Sequence, residues 1–238
     1  MKLALLERAL AASRDGRAAA LLTELKTGRQ SFFEGGAATG ELPLDAALSE
    51  GIRRALAEDR STTVDTAGGP VFVEVFNPRL RCILVGAVHI AQPLARMAAL
   101  AGYLVTVVDP RTAFASDERF PDVGISTDWP DEAIEKLKAD RRTAIITLTH
   151  DPKLDDPALA TALRTDAFYI GSLGSKRTHA ARLKRLAELG FGDKDFARIH
   201  GPVGLDIGAV SPSEIAVSIL AQMTLLLRGE RRGKADAA

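Results

Sequence analysis

Residues 82–91 read CILVGAVHIA, and this stretch decides the fold. Its first four residues form a continuous apolar run, which is typical of a strand buried on both faces of a parallel sheet. Gly86 follows as a turn residue, and residues 89–101 carry the apolar spacing of a helix. A buried strand that turns directly into a helix is typical of the opening of a Rossmann-type unit.

The same alternation continues towards the carboxyl terminus. Further buried strands are predicted at 104–108, 144–148 and 167–170, and helices at 131–139, 155–164 and 175–189. A last helix begins at Ser211-Pro212-Ser213-Glu214, where a capping serine, a proline at the first helical position and a glutamate form a capping box. Alternating strands and helices predict a parallel sheet with right-handed crossovers.

The residues before this stretch follow a different pattern. Helices are predicted at 2–13 and 44–58, hairpins at 17–25 with 29–34 and at 61–66 with 71–76, and a glycine-rich loop at 35–40. Asn77-Pro78-Arg79 then breaks the pattern. The prediction is therefore an α/β protein, with a small α+β domain over 1–76 and a Rossmann-like parallel-sheet domain over 77–238.

Composition excludes several classes of protein. The 238 residues carry 31 Lys and Arg against 31 Asp and Glu, which argues against a nucleic-acid binder that works by bulk charge. Cys82 is the single cysteine, and it is predicted to be a core residue. The four histidines lack metal-ligand spacing, and no apolar run is long enough for a membrane span. We therefore expect a cytoplasmic protein without a metal site, and a solvated tail over 228–238.

The loop after the first buried strand resembles a dinucleotide turn in part. Gly86 and Ala91 fit the pattern Gly-x-Gly-x-x-Gly/Ala, whereas Val88 stands where the second glycine lets a pyrophosphate approach. Asp109, 23 positions after Gly86, is where an acid that binds the ribose belongs. Either the turn binds a nucleotide or it serves packing only. His89 is either a phosphate ligand or a surface residue.

A second loop, YIGSLGSKR at 169–177, leads from a strand into a helix. The free amides and the dipole of a helix N-terminus favour an anion there. Ser172 and Ser175 can donate hydrogen bonds, and Lys176 and Arg177 add positive charge. The alternative is that Ser175 only caps the helix while the two bases are solvated.

Two more segments are expected near the same edge of the sheet. His150 and Asp151 follow the third strand, where ligands of open α/β sheets bind, and a ligand-contact role is favoured over acid–base catalysis. The segment 198–208 carries three glycines around Pro202 and Asp206. It either lines the crevice or only turns the chain towards the last helix.

Taken together, these segments resemble the XdhC/CoxI family. The segments are 83–111, ending in VVDPR, ERFP at 118–121, LTHD at 148–151, YIGSLGSKR at 169–177 and 199–222, ending in SILAQ. The resemblance implies a maturation factor that binds molybdenum cofactor, as molybdopterin or its dinucleotide, and hands it to an apo molybdenum hydroxylase of the xanthine or carbon monoxide dehydrogenase type. It also implies a cysteine desulfurase as a further partner and a homodimer.

Two departures from the family pattern are visible. The family turn usually reads Gly-x-Gly-His, and here Val88 replaces the second glycine. Many members also carry a Ser-Gly-Gly-Cys-type segment near the N-terminus, and the pair Gly35-Gly36 has no cysteine beside it. A role for that cysteine therefore cannot be transferred to this chain.

The predicted function is that of a cofactor-binding chaperone rather than an enzyme. The alternatives are an NAD(P)-binding oxidoreductase and a non-catalytic interaction protein with a vestigial Rossmann cleft. No catalytic residue is assigned. The predicted cofactor-binding residues are Gly86, Ala87, Val88, His89, Asp109, Arg111, His150, Asp151, Gly171, Ser172, Gly174, Ser175, Lys176, Arg177 and Asp206.

Overall fold

A computed structural model describes residues 3–229, and its backbone contacts divide the chain into two compact units, Met1–Arg79 and Leu80–Ala238. The division falls directly after the Asn77-Pro78-Arg79 segment. Residue 2 of the first predicted helix and residues 230–238 of the predicted tail lie outside the described residues.

The first unit is an antiparallel sheet with two helices. Its elements are α1 Leu3–Arg14, β1 Ala19–Glu24, β2 Gln30–Glu34, β3 Ala37–Gly40, α2 Ala46–Glu58, β4 Thr62–Thr66 and β5 Gly69–Phe76. The strand order is β3-β2-β1-β5-β4, so the two predicted hairpins pair with each other through β1 and β5.

Both faces of this sheet are covered. Leu48 and Ile52 of α2 pack on one face, and Ala9 and Ala12 of α1 pack with Phe32 on the other. Asp45 fixes the start of α2, because its side chain accepts a hydrogen bond from the amide of Leu48 at 2.7 Å.

The predicted loop at 35–40 is wrong over its last four residues. Gly35 and Gly36 form a tight turn with φ angles of +59° and +87°, and residues 37–40 then pair with β2 as β3. The strand was missed because AATG has neither apolar alternation nor a run of branched residues, and it is mostly exposed at the edge of the sheet.

The second unit contains the parallel sheet. Its elements are β6 Arg81–Val85, α3 Ala91–Leu100, β7 Leu104–Val108, β8 Gly124–Ser126, α4 Pro130–Lys136, β9 Thr143–Thr147, α5 Pro152–Leu163, β10 Tyr169–Ser172, α6 Lys176–Glu188, α7 Asp193–Phe196, β11 Ile199–His200 and α8 Pro212–Gly229. The predicted strands, the main helices and the capping box of α8 are confirmed: the amide of Ser211 donates to Glu214 Oε2 at 2.8 Å.

The strand order is β11-β10-β9-β6-β7-β8, and every adjacent pair is parallel. This is the doubly wound Rossmann order, in which the chain first moves from β6 towards β8 and then returns to β9 on the other side of β6. The reversal leaves a crevice between the carboxyl ends of β6 and β9, and this is where such sheets bind ligands.

Alternate residues of β6 enter different cores. Cys82 and Leu84 pack with residues of α3 and α8, whereas Ile83 and Val85 pack with residues of α4, α5 and α6. The all-apolar run is therefore explained by helices on both faces. Three short elements, β8, α7 and β11, were missed by the sequence analysis, because two to four residues are too few to show a period.

Among the described residues, the helices include none with the length and apolar character needed to cross a membrane.

Candidate functional site

The Gly86 turn is built by close contact with the loop after β9. Gly86 has a φ of +107°, and a Cβ on this residue would lie 2.4 Å from Cγ2 of Thr149. Its amide donates to the carbonyl of Val108 at 2.8 Å. Glycine is therefore required here both for the backbone conformation and for the approach of Thr149.

Asp109 ends β7 at the predicted position, but its carboxylate serves the protein itself. Oδ1 accepts from the amide of Arg111 at 3.0 Å and from its Nε at 2.9 Å. Oδ2 accepts from Nη2 of Arg111 and from the amide of Ala87, each at 2.8 Å. Asp109 is fully buried. Four donors fill the lone pairs of the two oxygens, so the predicted contact with a ribose would have to displace a donor of the protein.

The pKa values of Asp109 and Arg111 are shifted in the directions that favour their ion pair. Burial alone raises the pKa of Asp109, but the hydrogen bonds from Arg111 and Ala87 lower the pKa by more, so it lies below its ordinary value. The pKa of Arg111 is raised, first by its hydrogen bonds to Asp109 and also by the negative charges of Asp151 and Asp155. Arg111 therefore lies within electrostatic reach of the loop after β9 and of the start of α5.

Val88 and His89 occupy the turn before α3. Val88 is half-buried and packs against the core shared by α3 and α8. His89 is exposed, and α3 begins at Ala91, two residues later than predicted. The side chain of Val88 therefore packs at the edge of this core. It stands at the position where the dinucleotide pattern has a glycine.

The loop after β9 presents His150 in an unusual conformation. His150 is exposed, and its φ of +130° lies outside the regions that residues with a Cβ normally adopt. Asp151 caps α5, because its side chain accepts from the amide of Lys153 at 3.0 Å. Asp151 therefore has a structural task, whereas the side chain of His150 is exposed. Strained backbone of this kind clusters at functional sites.

The structure corrects part of the predicted loop at 169–177. Gly171 and Ser172 are the last residues of β10 and are buried, since this strand ends two residues later than predicted. Ser172 Oγ forms a 2.5 Å hydrogen bond with Oγ1 of Thr147, so its hydroxyl is engaged between two strands. The predicted role of Ser172 as a ligand donor would require this bond between the strands to be shared or broken.

The second part of that loop forms an exposed helix start. Ser175 caps α6 by accepting from the amide of Thr178 at 3.1 Å. Gly174, with a φ of +137°, allows the sharp turn into the helix. Ser175, Lys176 and Arg177 are all exposed, so two positive charges stand beside the positive end of the helix dipole.

The structure adds a buried ion pair that the sequence analysis missed. Asp155 and Arg182 are each about 98% buried, and Asp155 Oδ2 lies 3.6 Å from Arg182 Nη2. Thr149 donates to Asp155 Oδ1 at 2.6 Å, and Arg182 donates to the carbonyl of Leu173 at 2.8 Å. A continuous chain of contacts therefore runs from the Gly86 turn, through the loop after β9, to the loop before α6.

The surroundings of this ion pair are not saturated with hydrogen bonds. Among the residues that the structure describes, Asp155 Oδ2, Arg182 Nε and Nη1, and His179 Nδ1 are buried and have no hydrogen-bond partner. Burial raises the pKa of Asp155 and lowers the pKa of His179. The sequence did contain a signal for Arg182, because it lies four residues before Leu186, on the buried face of α6.

The segment 198–208 packs against β10 and α8. The amide of Gly204 and the hydroxyl of Tyr169 both donate to Oε1 of Gln222, at 2.9 and 2.6 Å. His200 stacks on Tyr169, with 5.2 Å between ring centroids. Asp206, in the same segment, is exposed. The segment leaves β11 at the carboxyl edge of the sheet, but no hydrogen bond or ion pair joins Asp206 to the loops described above among residues 3–229.

One apolar cavity lies away from these loops. It has a volume of about 550 Å³ and is lined by residues of α8 and by Leu205, none of which belongs to the predicted site. In the part of the chain that the structure describes, no group of three or more His, Cys, Asp or Glu residues is placed to hold a metal ion.

Comparison with known proteins gives mutually consistent matches. The family profile described as the XdhC Rossmann domain matches residues 82–223. A Bacillus subtilis (strain 168) protein, named as a probable xanthine dehydrogenase subunit, is 34% identical over 154 residues, covering 64% of this chain and 44% of that protein. The "Molybdenum cofactor insertion chaperone PaoD" of Escherichia coli (strain K12) is 34% identical over 148 residues, covering 62% of this chain and 40% of that protein.

A solved structure extends the likeness to most of the chain. The crystal structure of a xanthine dehydrogenase from Bacillus halodurans superposes with a TM-score of 0.73 at 27% identity, covering 94% of this chain and 64% of that one. The matches to the Bacillus subtilis protein and to PaoD each span less than half the length of those relatives.

Proposed function

Because the chain belongs to the XdhC family, whose Rossmann-domain profile matches residues 82–223, we propose that it is a chaperone for molybdenum cofactor. It binds the cofactor transiently and delivers it to an apo molybdenum hydroxylase of the xanthine or carbon monoxide dehydrogenase type. The likeness to the insertion chaperone PaoD and to the xanthine dehydrogenase subunit supports this role. When bound, the cofactor supplies the molybdenum centre that the hydroxylase needs.

The observation that carries the proposal is the set of donors at the carboxyl edge of the sheet. The exposed start of α6 offers backbone amides and the side chains of Ser175, Lys176 and Arg177. Arg111 follows β7 at the same edge of the sheet, and its side chain is 42% exposed. Molybdenum cofactor is anionic, and cations with helix-start amides are groups that bind anions in proteins. The residues therefore fit the anionic part of the cofactor.

His150 is the residue proposed to touch the pterin. It is exposed at the switch point, between the Gly86 turn and α5, and its backbone is held from both sides. Thr149 bonds to Asp155, and Asp151 caps α5. An imidazole on a backbone held in this way presents a donor and an acceptor to a polar ring at a reduced entropic cost of binding.

We also propose two partners, an oligomeric state and a location for the protein. The apo hydroxylase is the receiving partner, and a cysteine desulfurase that sulfurates the cofactor is a second one. A homodimer and a cytoplasmic location complete the proposal, the latter in line with the single cysteine. Sedimentation of the purified chain tests the dimer.

An NAD(P)-dependent oxidoreductase is the weaker alternative. It requires an acid at the end of β7 that is open to the ribose, and Asp109 is buried and fully bonded. It also requires space at residue 88, where Val88 stands.

The experiment that tests the function is equilibrium binding of molybdenum cofactor under anaerobic conditions. Free and bound cofactor are separated by ultrafiltration, with NAD as competitor. The proposal expects stoichiometric retention that NAD does not disturb. Arg177→Ala should weaken binding about tenfold, since one charge-assisted contact is lost. Arg141→Ala, at the amino end of β9, is the matched control and should bind like the wild type. If no cofactor is retained, the proposal is wrong.

A further inference from the structure

We infer that the crevice takes the cofactor in its molybdopterin form, which ends in a phosphomonoester, in preference to a dinucleotide form, which continues into a nucleoside. This inference rests on the proposed function and refines it. It is carried by the hydrogen bonds of Asp109, by the side chain of Val88 and by the exposed part of Arg111.

The carboxylate of Asp109 is already occupied by hydrogen bonds within the protein. A Rossmann site that holds a nucleoside uses the acid at the end of its second strand to accept hydrogen bonds from the ribose hydroxyls. Here β7 is that strand, and both oxygens of Asp109 already accept two hydrogen bonds each. A ribose would have to displace Arg111 or the amide of Ala87 to reach a buried carboxylate. The nucleoside half of a dinucleotide therefore gains nothing from this position.

The Gly86 turn is unfavourable for a pyrophosphate. A pyrophosphate that links two nucleotides approaches the backbone closely at the second glycine of the pattern. This chain has Val88 there, half-buried against the core, so its side chain cannot simply swing away from the turn. Val88 and Asp109 thus oppose a dinucleotide at two separate points of its structure.

Arg111 offers hydrogen-bond donors for a phosphomonoester. Its pairing with Asp109 uses two of the five N–H groups of the guanidinium and fixes the orientation of the others. The side chain is 42% exposed, with its guanidinium carbon 4.9 Å from the ring centroid of Phe114. A buried acid that holds a half-exposed arginine makes a preorganised donor for a terminal phosphate. Asp109 is therefore a positioning residue, and Arg111 is the specificity-determining contact.

The test compares two probes on the full chain: purified molybdopterin-form cofactor and a purified dinucleotide form. Their dissociation constants are measured by anaerobic ultrafiltration. We expect the molybdopterin form to bind about tenfold more tightly or better. Arg111→Ala should remove most of this preference, chiefly by weakening the molybdopterin form, because the lost contact is a charge-assisted hydrogen bond to the terminal phosphate.

Arg141→Ala again serves as the control that removes a cation outside the crevice. Arg111→Gln, which keeps a donor without the charge, gives a second variant should Arg111→Ala not fold. Equal affinities, or tighter binding of the dinucleotide, would overturn the inference while leaving the chaperone role intact. A preference that persists in both Arg111 variants would overturn the role of Arg111. Failure of both probes to bind would instead refute the proposed function.

Discussion

Thr149 occupies the space beside Gly86 that a side chain on residue 86 would need: its Cγ2 lies 2.4 Å from the position of a Cβ there. The contact joins the carboxyl ends of β6 and β9, which flank the switch point of the sheet. Through the hydroxyl of Thr149 it continues to Asp155 and then to Arg182. The loops that form the proposed cofactor site are therefore packed on one another before any ligand arrives.

Gly86→Ala is predicted to destabilise the protein through this contact. The added Cβ collides with Thr149, and the φ of +107° is unfavourable for alanine. Gly190→Ala is the matched control, because Gly190 has a φ of +92° but nothing within 4 Å of its Cβ position. We expect Gly86→Ala to lower the free energy of unfolding by about 1–3 kcal/mol more than the control, as for overpacking. Urea denaturation measures both.

A second substitution identifies the contact responsible. Thr149→Ser removes the methyl group and keeps the hydroxyl that donates to Asp155. The double variant with Gly86→Ala should recover part of the lost stability. If Gly86→Ala costs no more than Gly190→Ala, the close contact does not exist.

Arg182→Met is predicted to be strongly destabilising. It leaves Asp155 buried without its countercharge, and breaking a buried pair from one side typically costs about 3–5 kcal/mol. Arg182→Met with Asp155→Leu removes both charges and should be more stable than Arg182→Met alone. The comparison by urea denaturation separates the ion pair from the packing of α6. A double variant no more stable than the single one would contradict this.

Stability is predicted to fall as the pH drops below 6.5 because of two half-buried histidines. Burial lowers the pKa of both His179 and His200, and the positive charge of Arg182 adds to the effect at His179. The unfolded chain therefore takes up protons first as the pH falls through 6.5, which favours unfolding. Each histidine contributes at most about 1.4 kcal/mol per pH unit.

The variant His200→Gln isolates one of these contributions. Burial raises the pKa of Asp155, so this residue makes the unfolding free energy rise as the pH falls, opposite to the histidines. This contribution is the same in the wild type and in the variant. The difference between their unfolding free energies should therefore shrink as the pH falls from 7.5 to 5. A difference that is constant with pH would show that His200 does not titrate differently in the folded state.

Val88→Gly alone is predicted not to give NAD binding. It opens the turn, but the carboxylate of Asp109 remains bonded to Arg111 and Ala87. Val88→Gly with Arg111→Ala also uncovers Asp109, and this double variant should bind NAD measurably in a fluorescence titration with NADH. Binding by the single variant would show that residue 88 is the sole obstacle and that Asp109 is accessible.

The fold was accessible from the sequence where the apolar pattern was strong. The run CILV, flanked by a glycine turn and a helix, predicted a strand buried on both faces, and β6 has helices on each side. Elements of two to four residues, such as β8 and β11, carry no period and could not be predicted.

The site was only partly accessible, because residue type does not reveal what a side chain is bonded to. Asp109 lies where the dinucleotide pattern places an acid, and it is used internally by Arg111 and Ala87. Ser172 has a donor hydroxyl, and this is bonded to Thr147 on the next strand. Asp155 and Arg182 are 27 residues apart in sequence, so only the packing of α5 and α6 brings them together.

Transfer of cofactor to an apo molybdenum hydroxylase tests the central claim most directly. The chain is loaded with molybdopterin-form cofactor, freed of excess ligand and mixed with the apoenzyme in the presence of a protein that scavenges free cofactor. We predict that hydroxylase activity appears when the loaded chain is the source of cofactor, even with the scavenger present. When free cofactor is supplied instead, the scavenger should abolish the activity. Equal loss of activity in both arms would mean that the chain releases its cofactor into solution, which contradicts a chaperone role.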